Sequence, residues 1–99
     1  MATLHLLSHS PFGDTRLDSC LRLLGTDDAL LLSGDAVYAL QPGTVPAQRL
    51  LALPEGVALL ALEEDLLARA LAAPPRVRVL DYPGFVDCCS RYAKVNSWL

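Results

Sequence analysis

The stretch that decides the fold is Val57-Ala58-Leu59-Leu60-Ala61-Leu62, followed by Glu63-Glu64-Asp65 and then Leu66-Leu67-Ala68-Arg69-Ala70-Leu71. Six consecutive apolar residues are what a strand covered on both faces requires. The acidic triplet stands where a helix should begin, because negative side chains favour the positive end of the helix dipole. Leu66, Leu67, Ala70 and Leu71 share one helical stripe, and Asp65 lies one turn before Arg69. A strand feeding a helix is the repeating unit of a parallel α/β sheet.

Working outward, the same alternation recurs. Upstream, Thr3–Leu7 reads as a strand, closed by a loop from Ser8 through His9, Ser10, Pro11 and Phe12 to Gly13. A helix follows, capped by Asp14 or Thr15; Thr15 and Asp18 have capping-box spacing. Leu17, Cys20, Leu21 and Leu24 mark its buried face, and Gly25 is placed to end it. Asp27-Asp28 lead into a strand at Ala29–Leu32. After the turn Ser33-Gly34-Asp35, Ala36–Leu40 suits either one helical turn or a short strand. Pro46–Leu53 reads as a helix opened by proline and closed before Pro54.

Downstream, Pro74-Pro75 stop the central helix, and Val77–Leu80 reads as a strand. A last helix is expected from about Pro83 to Lys94, with Phe85, Val86, Cys89 and Ala93 on one side, Cys88 and Tyr92 beside them, and an Asp87–Arg91 pair. Ser97-Trp98-Leu99 would add a short edge strand. Four or five strands alternating with helices predict a three-layer α/β/α sandwich around a mostly parallel sheet, built as one domain over residues 1–99.

Composition narrows the functions. Apolar residues make up 53 % of the chain and charged residues 19 %. That apolar surplus in so small a chain points to a subunit interface. The net charge is −3 and the eight basic residues are scattered, so a self-sufficient RNA-gripping surface is not expected. No apolar run approaches a membrane span. The start of the chain has neither the basic region nor the long apolar stretch of a signal peptide, and three cysteines without a targeting signal read as reduced cytoplasmic thiols.

Several kinds of chemistry are excluded. There is no glycine fingerprint for a dinucleotide after the first strand, no phosphate-binding P-loop and no Gly-x-Ser-x-Gly elbow. A phosphate-accepting receiver site needs a well-placed lysine, and the one lysine is Lys94. His5 and His9 are four apart, but with one in a strand and the other in the loop after it they do not form a metal pair; no metal or cofactor is expected. His9 lies where α/β sheets place ligands, although a loop histidine bonding its own surroundings is the simpler reading. Cys88 and Cys89, adjacent in a helix, read as core thiols. Cys20 sits mid-helix on the apolar stripe with Arg16 as the nearest cation, so spacing alone makes it structural. Glu63, Glu64 and Asp65 are explained by the helix start.

The ordered set Leu4-His5, Ser10-Pro11-Phe12, Leu17 with Ser19-Cys20-Leu21, Leu30-Leu31-Leu32 with Asp35 and Val37-Tyr38, Ala61–Leu66 with Ala68-Arg69, Asp81-Tyr82, Gly84-Phe85-Val86 and Ser97-Trp98 resembles the TusB/DsrH family of sulfur-relay subunits, nearly end to end. The chain departs from that pattern at Ala36 and Ala70, where the family often carries glycine; alanine resists positive φ. The resemblance implies a DsrE/DsrF/DsrH-like fold and a heterohexamer with TusC/DsrF-like and TusD/DsrE-like subunits. It also implies indirect links to a TusA-like sulfur donor and a TusE/DsrC-like acceptor. The relayed persulfide sulfur ends as the 2-thio group of the tRNA wobble uridine in the Tus branch, and serves cytoplasmic sulfur oxidation in the Dsr branch. The accepting cysteine is generally assigned to the TusD/DsrE-type subunit.

Three readings follow. The first is a non-catalytic subunit that completes a sulfurtransferase. The second is an active carrier in which Cys20, matching a DsrH-type cysteine, takes up persulfide. The third is a ligand-binding module built on the strand-end loops around His9 and Asp35.

Overall fold

The computed structural model describes residues 2–98. Its strands are β1 (Thr3–Leu7), β2 (Ala29–Leu32), β3 (Ala58–Leu62), β4 (Arg78–Leu80) and β5 (Lys94–Trp98). All pair in parallel, in the order β4-β3-β2-β1-β5. Helices α1 (Arg16–Leu23), α2 (Val45–Leu51), α3 (Glu63–Ala68) and α4 (Tyr82–Arg91) connect them, with a 3₁₀ helix at Gly34–Leu40.

Strand order dictates the layers. From β1 to β4 the chain steps in one direction across the sheet, so right-handed crossovers put α1, the 3₁₀ helix, α2 and α3 on a single face. The last connection reverses, carrying the chain past three strands to β5, and the same handedness puts α4 on the opposite face. The core is split accordingly. Leu7, Leu17, Cys20, Leu30, Leu32, Val37, Leu50, Leu59 and Leu66 pack on the crowded face. On the other, Leu4, Ala29, Leu31, Leu60 and Leu80 meet Phe85, Cys88, Cys89 and Tyr92 of α4. The sandwich therefore has three layers, one of them a single helix. β2 is central and all four of its residues are buried, as a parallel strand covered on both faces must be.

The central stretch forms the expected strand and helix, but α3 is shorter than its pattern. It stops at Ala68, and Ala70 takes a left-handed backbone at φ 52°. The N–H of Leu71 donates to Leu66 O at 3.0 Å and that of Ala70 to Leu67 O at 3.2 Å. These are the two bonds of a Schellman ending, and Leu66 and Leu71 supply its apolar contact. Leu67 is 72 % exposed and Ala70 is exposed too, not buried on a stripe. The departure at Ala70 thus falls where glycine suits the backbone, whereas Ala36 lies buried in the 3₁₀ helix and the positive φ of that turn belongs to Gly34. An alanine in the left-handed region costs roughly 1–2 kcal/mol, partly offset by its stiffer unfolded chain. Ala70→Gly is therefore expected to stabilise the fold by about 0.5–1 kcal/mol, read as a melting temperature several degrees higher.

Other boundaries shift for local reasons. No side-chain cap forms at Thr15; instead the Asp14 carboxylate accepts the N–H of Arg16 at 2.9 Å and pairs with its guanidinium. α1 ends at Leu23 and not at Gly25, whose N–H is held by Asp28. α2 starts one residue before Pro46, with the Thr44 hydroxyl accepting from Ala47 N. α4 ends at Arg91, leaving Ala93 exposed outside it, and Val86 is 54 % exposed rather than inward. The edge strand is longer than Ser97-Trp98 suggested, and the Leu99 part of that expectation lies outside the described residues. No helix of the described residues is long and apolar enough to cross a membrane.

Candidate functional site

The polar groups gather in two places. The first is inside the crowded face. Alternation along β1 puts His5 on the same face as Leu7, and β5 brings Trp98 beside Leu7. The Trp98 indole donates from Nε1 to His5 Nδ1 at 3.1 Å, and the two rings lie 6.2 Å apart, tilted by 34°. Because Nδ1 accepts, the ring proton is on Nε2, which faces Asp28 Oδ2 at 3.2 Å. Asp28 also accepts from Thr3 N at 2.9 Å and from Gly25 N at 2.8 Å. His5 and Asp28 are both buried. Burial by itself would raise the Asp28 carboxyl, but the Gly25 and Thr3 amides and the His5 ring outweigh it and hold it below the ordinary carboxylate range. Among the described residues no hydroxyl or thiol bonds to the His5–Asp28 pair to complete a nucleophilic triad. It is a clasp joining both ends of the chain to the loop before β2.

Cys20 lies in the same layer, 0 % exposed. Burial and then the charge of Asp28 push its thiol up to about 12. At neutral pH the thiolate fraction is then on the order of one in 10⁵. Neither access nor ionisation suits Cys20 for attack on a persulfide in this arrangement. Cys88 and Cys89 are only half-buried, against the expectation of core thiols, and all three cysteines are free. An alkylating agent at neutral pH is expected to label Cys88 and Cys89 in the native chain and to reach Cys20 only after denaturation, which peptide mass spectrometry reads directly. Cys20→Ser, which places a hydroxyl among apolar neighbours, is expected to cost about 1–3 kcal/mol.

The second gathering is at the carboxyl ends of the strands. The N–H of Gly34 donates to Asp65 at 2.8 Å, and Arg69 donates to Asp35 at 2.9 and 3.2 Å. The Arg69 guanidinium also reaches the Asp65 carbonyl and lies 5.7 Å from the centre of the Tyr38 ring. Gly34 is needed here, since a Cβ would come within 3.2 Å of the Ser8 carbonyl at a φ of 51°. His9 is exposed and meets only the Ser8 hydroxyl, at 3.4 Å. The turn network is self-contained: Asp35 is occupied by Arg69, and His9 is not part of it. Among the described residues no group of His, Cys, Asp or Glu is placed to hold a metal.

Sequence reasoning missed Asp28 and Trp98, which it placed only as a strand lead-in and an edge residue. The available signal was chemical: a histidine in an apolar strand and the chain's one tryptophan each need a polar partner when buried.

The family model described as DsrH like protein matches residues 9–95. The chain is 39 % identical over 97 residues to Protein TusB of Erwinia tasmaniensis, covering 96 % of this chain and 99 % of that one. It is 35 % identical to Protein TusB of an Enterobacter species and 34 % to that of Buchnera aphidicola, at the same coverage. The crystal structure of the ychN protein from E. coli shares the fold, with a TM-score of 0.78 at 20 % identity over 98 % of this chain and 99 % of that one.

Proposed function

Since the chain belongs to the DsrH-like family that joins TusB and DsrH proteins, we propose that it is a non-catalytic subunit of a sulfur-relay complex. It sits with TusC/DsrF-like and TusD/DsrE-like subunits, two copies of each, in the cytoplasm. The complex takes persulfide sulfur from a TusA-like donor and passes it through a TusE/DsrC-like acceptor to the 2-thio group of the tRNA wobble uridine.

The observation that carries the non-catalytic part is Cys20. The resemblance matches it to a DsrH-type cysteine, yet its sulfur is sealed in the core with its pKa pushed up to about 12. Transfer needs a reachable thiolate, which Cys20 does not offer, and this supports an accepting cysteine on another subunit. This chain then contributes shape and surface. The exposed apolar side chains Leu23, Leu67, Val79, Tyr82 and Val86 support a role in assembly. A net charge of −3 argues that tRNA is held elsewhere.

The test is purification of the tagged chain from its own host, with the associated proteins identified and the complex sized. Two small α/β partners in equal amounts are expected. A lone monomer or homodimer would overturn the proposal.

A further inference from the structure

The face of the sheet that carries only α4 is incompletely covered. Between α4, the edge strand β4 and its neighbour β3 lies an open cleft of about 520 Å³, within the range of small-molecule sites, roughly 300–1,000 Å³. Leu60 and Leu80 line it with their apolar side chains. Arg78 pairs with Leu60 in register and shares a face with Leu80, so the pleat sends its side chain to the α4 side. From the helix come Asp87, Cys88, Arg91 and Tyr92, and Glu55 also lines the cleft, so three arginines stand against two carboxylates.

Among the arginines that line the cleft, Arg78 is distinctive. Arg16, Arg49, Arg69 and Arg91 each meet a carboxylate. Arg76, also at the cleft, is tied to the carbonyls of Leu51, Leu53, Pro54 and Val57. The Arg78 guanidinium has no hydrogen-bond or ion-pair partner among the described residues, and it stands over apolar surface. Burial raises the pKa of both Tyr92 and Cys88, followed by Cys88 for the tyrosine and by Cys89 for the thiol, with Arg78 and Arg91 opposing. Both therefore keep their protons at neutral pH, and the Tyr92 hydroxyl is available to donate.

We propose that this cleft is a binding site for a small organic anion with an apolar body. Arg78 takes the carboxylate or sulfonate head, assisted by Arg91, whose pair with Asp87 is exposed and weak, and Leu60 and Leu80 take the body. Charge-assisted hydrogen bonds from a guanidinium fix the head, and the apolar floor excludes small hydrated ions as good ligands. The competing explanation is that Arg78 only guards the exposed edge strand β4, as inward-pointing charges do. That role needs no ligand. The site lies across the sheet from Cys20 and stands or falls independently of the relay function.

The probe is naphthalene-2-sulfonate, with uncharged 2-naphthalenemethanol as its control, titrated into the full chain by calorimetry. The sulfonate is expected to bind one per chain, roughly ten-fold or more tighter than the alcohol, and to weaken as salt is raised. Arg78→Gln, at an exposed position, is expected to remove most of that difference while leaving the circular dichroism and alcohol binding unchanged. Arg91→Gln is the second variant and reads in the same direction. Bound sulfonate should also slow alkylation of Cys88 several-fold. Equal binding of the two probes, sulfonate affinity unchanged in both variants, or Cys88 labelling indifferent to the sulfonate would each overturn the proposal and leave Arg78 as an edge guard.

Discussion

Asp28→Ala is expected to destabilise the fold by about 3 kcal/mol, a large share of the 5–15 kcal/mol that holds a typical domain together. The carboxylate accepts from Thr3 N, Gly25 N and His5 Nε2. Its removal leaves those donors without partners in a buried setting, at about 1–3 kcal/mol for each one that water does not reach. Urea denaturation followed by the fluorescence of Trp98, the chain's one tryptophan, should show the midpoint falling by roughly 2 M. A loss below about 1 kcal/mol would mean that water already serves these donors.

The same group predicts an acid response. Its folded pKa is depressed, so the native state binds the proton less readily than the unfolded chain. The Asp28 contribution is fully present above the unfolded pKa of about 3.9 and is lost as pH falls through the lower folded value. Asp28→Asn should flatten that limb of the stability–pH curve.

Leu66→Ala is expected to cost about 3 kcal/mol, and Leu67→Ala less than about 0.5 kcal/mol. The two leucines are adjacent on α3 and equally apolar, but Leu66 is 4 % exposed and Leu67 is 72 % exposed. Both lie inside α3, pointing about 100° apart, so the helix turns Leu66 to the core and Leu67 to the surface, while the left-handed Ala70 returns Leu71 to the core. Comparable losses at the two positions would contradict that facing.

Much of the fold was legible because it is local. The run Val57–Leu62, the acidic triplet after it and the proline and glycine punctuation are properties of neighbouring residues, and each placed a strand or helix within a few positions. The buried stripe of α1 likewise told of Cys20 before any coordinates. Non-local features were not legible. Strand order, and with it the single-helix layer, depends on a crossover between β4 and β5 that nothing in the intervening residues announces. The clasp joins His5 to Trp98 across 93 positions and to Asp28 across 23, a separation no periodicity can bridge. The ending of α3 was hidden for a different reason. Alanine at Ala70 is a good helix former, so the residue that occupies the turn argues against it.

On the proposed function, a subunit whose Cys20 is buried and protonated serves the relay by completing the assembly that positions another subunit's cysteine. The most direct measurement is the 2-thiouridine content of host tRNA after the gene is deleted and then restored as wild type or as Cys20→Ala. The account predicts that deletion lowers the modification and that both forms restore it. Failure of Cys20→Ala in an intact complex would make Cys20 a carrier, and unchanged modification on deletion would remove the chain from tRNA thiolation altogether.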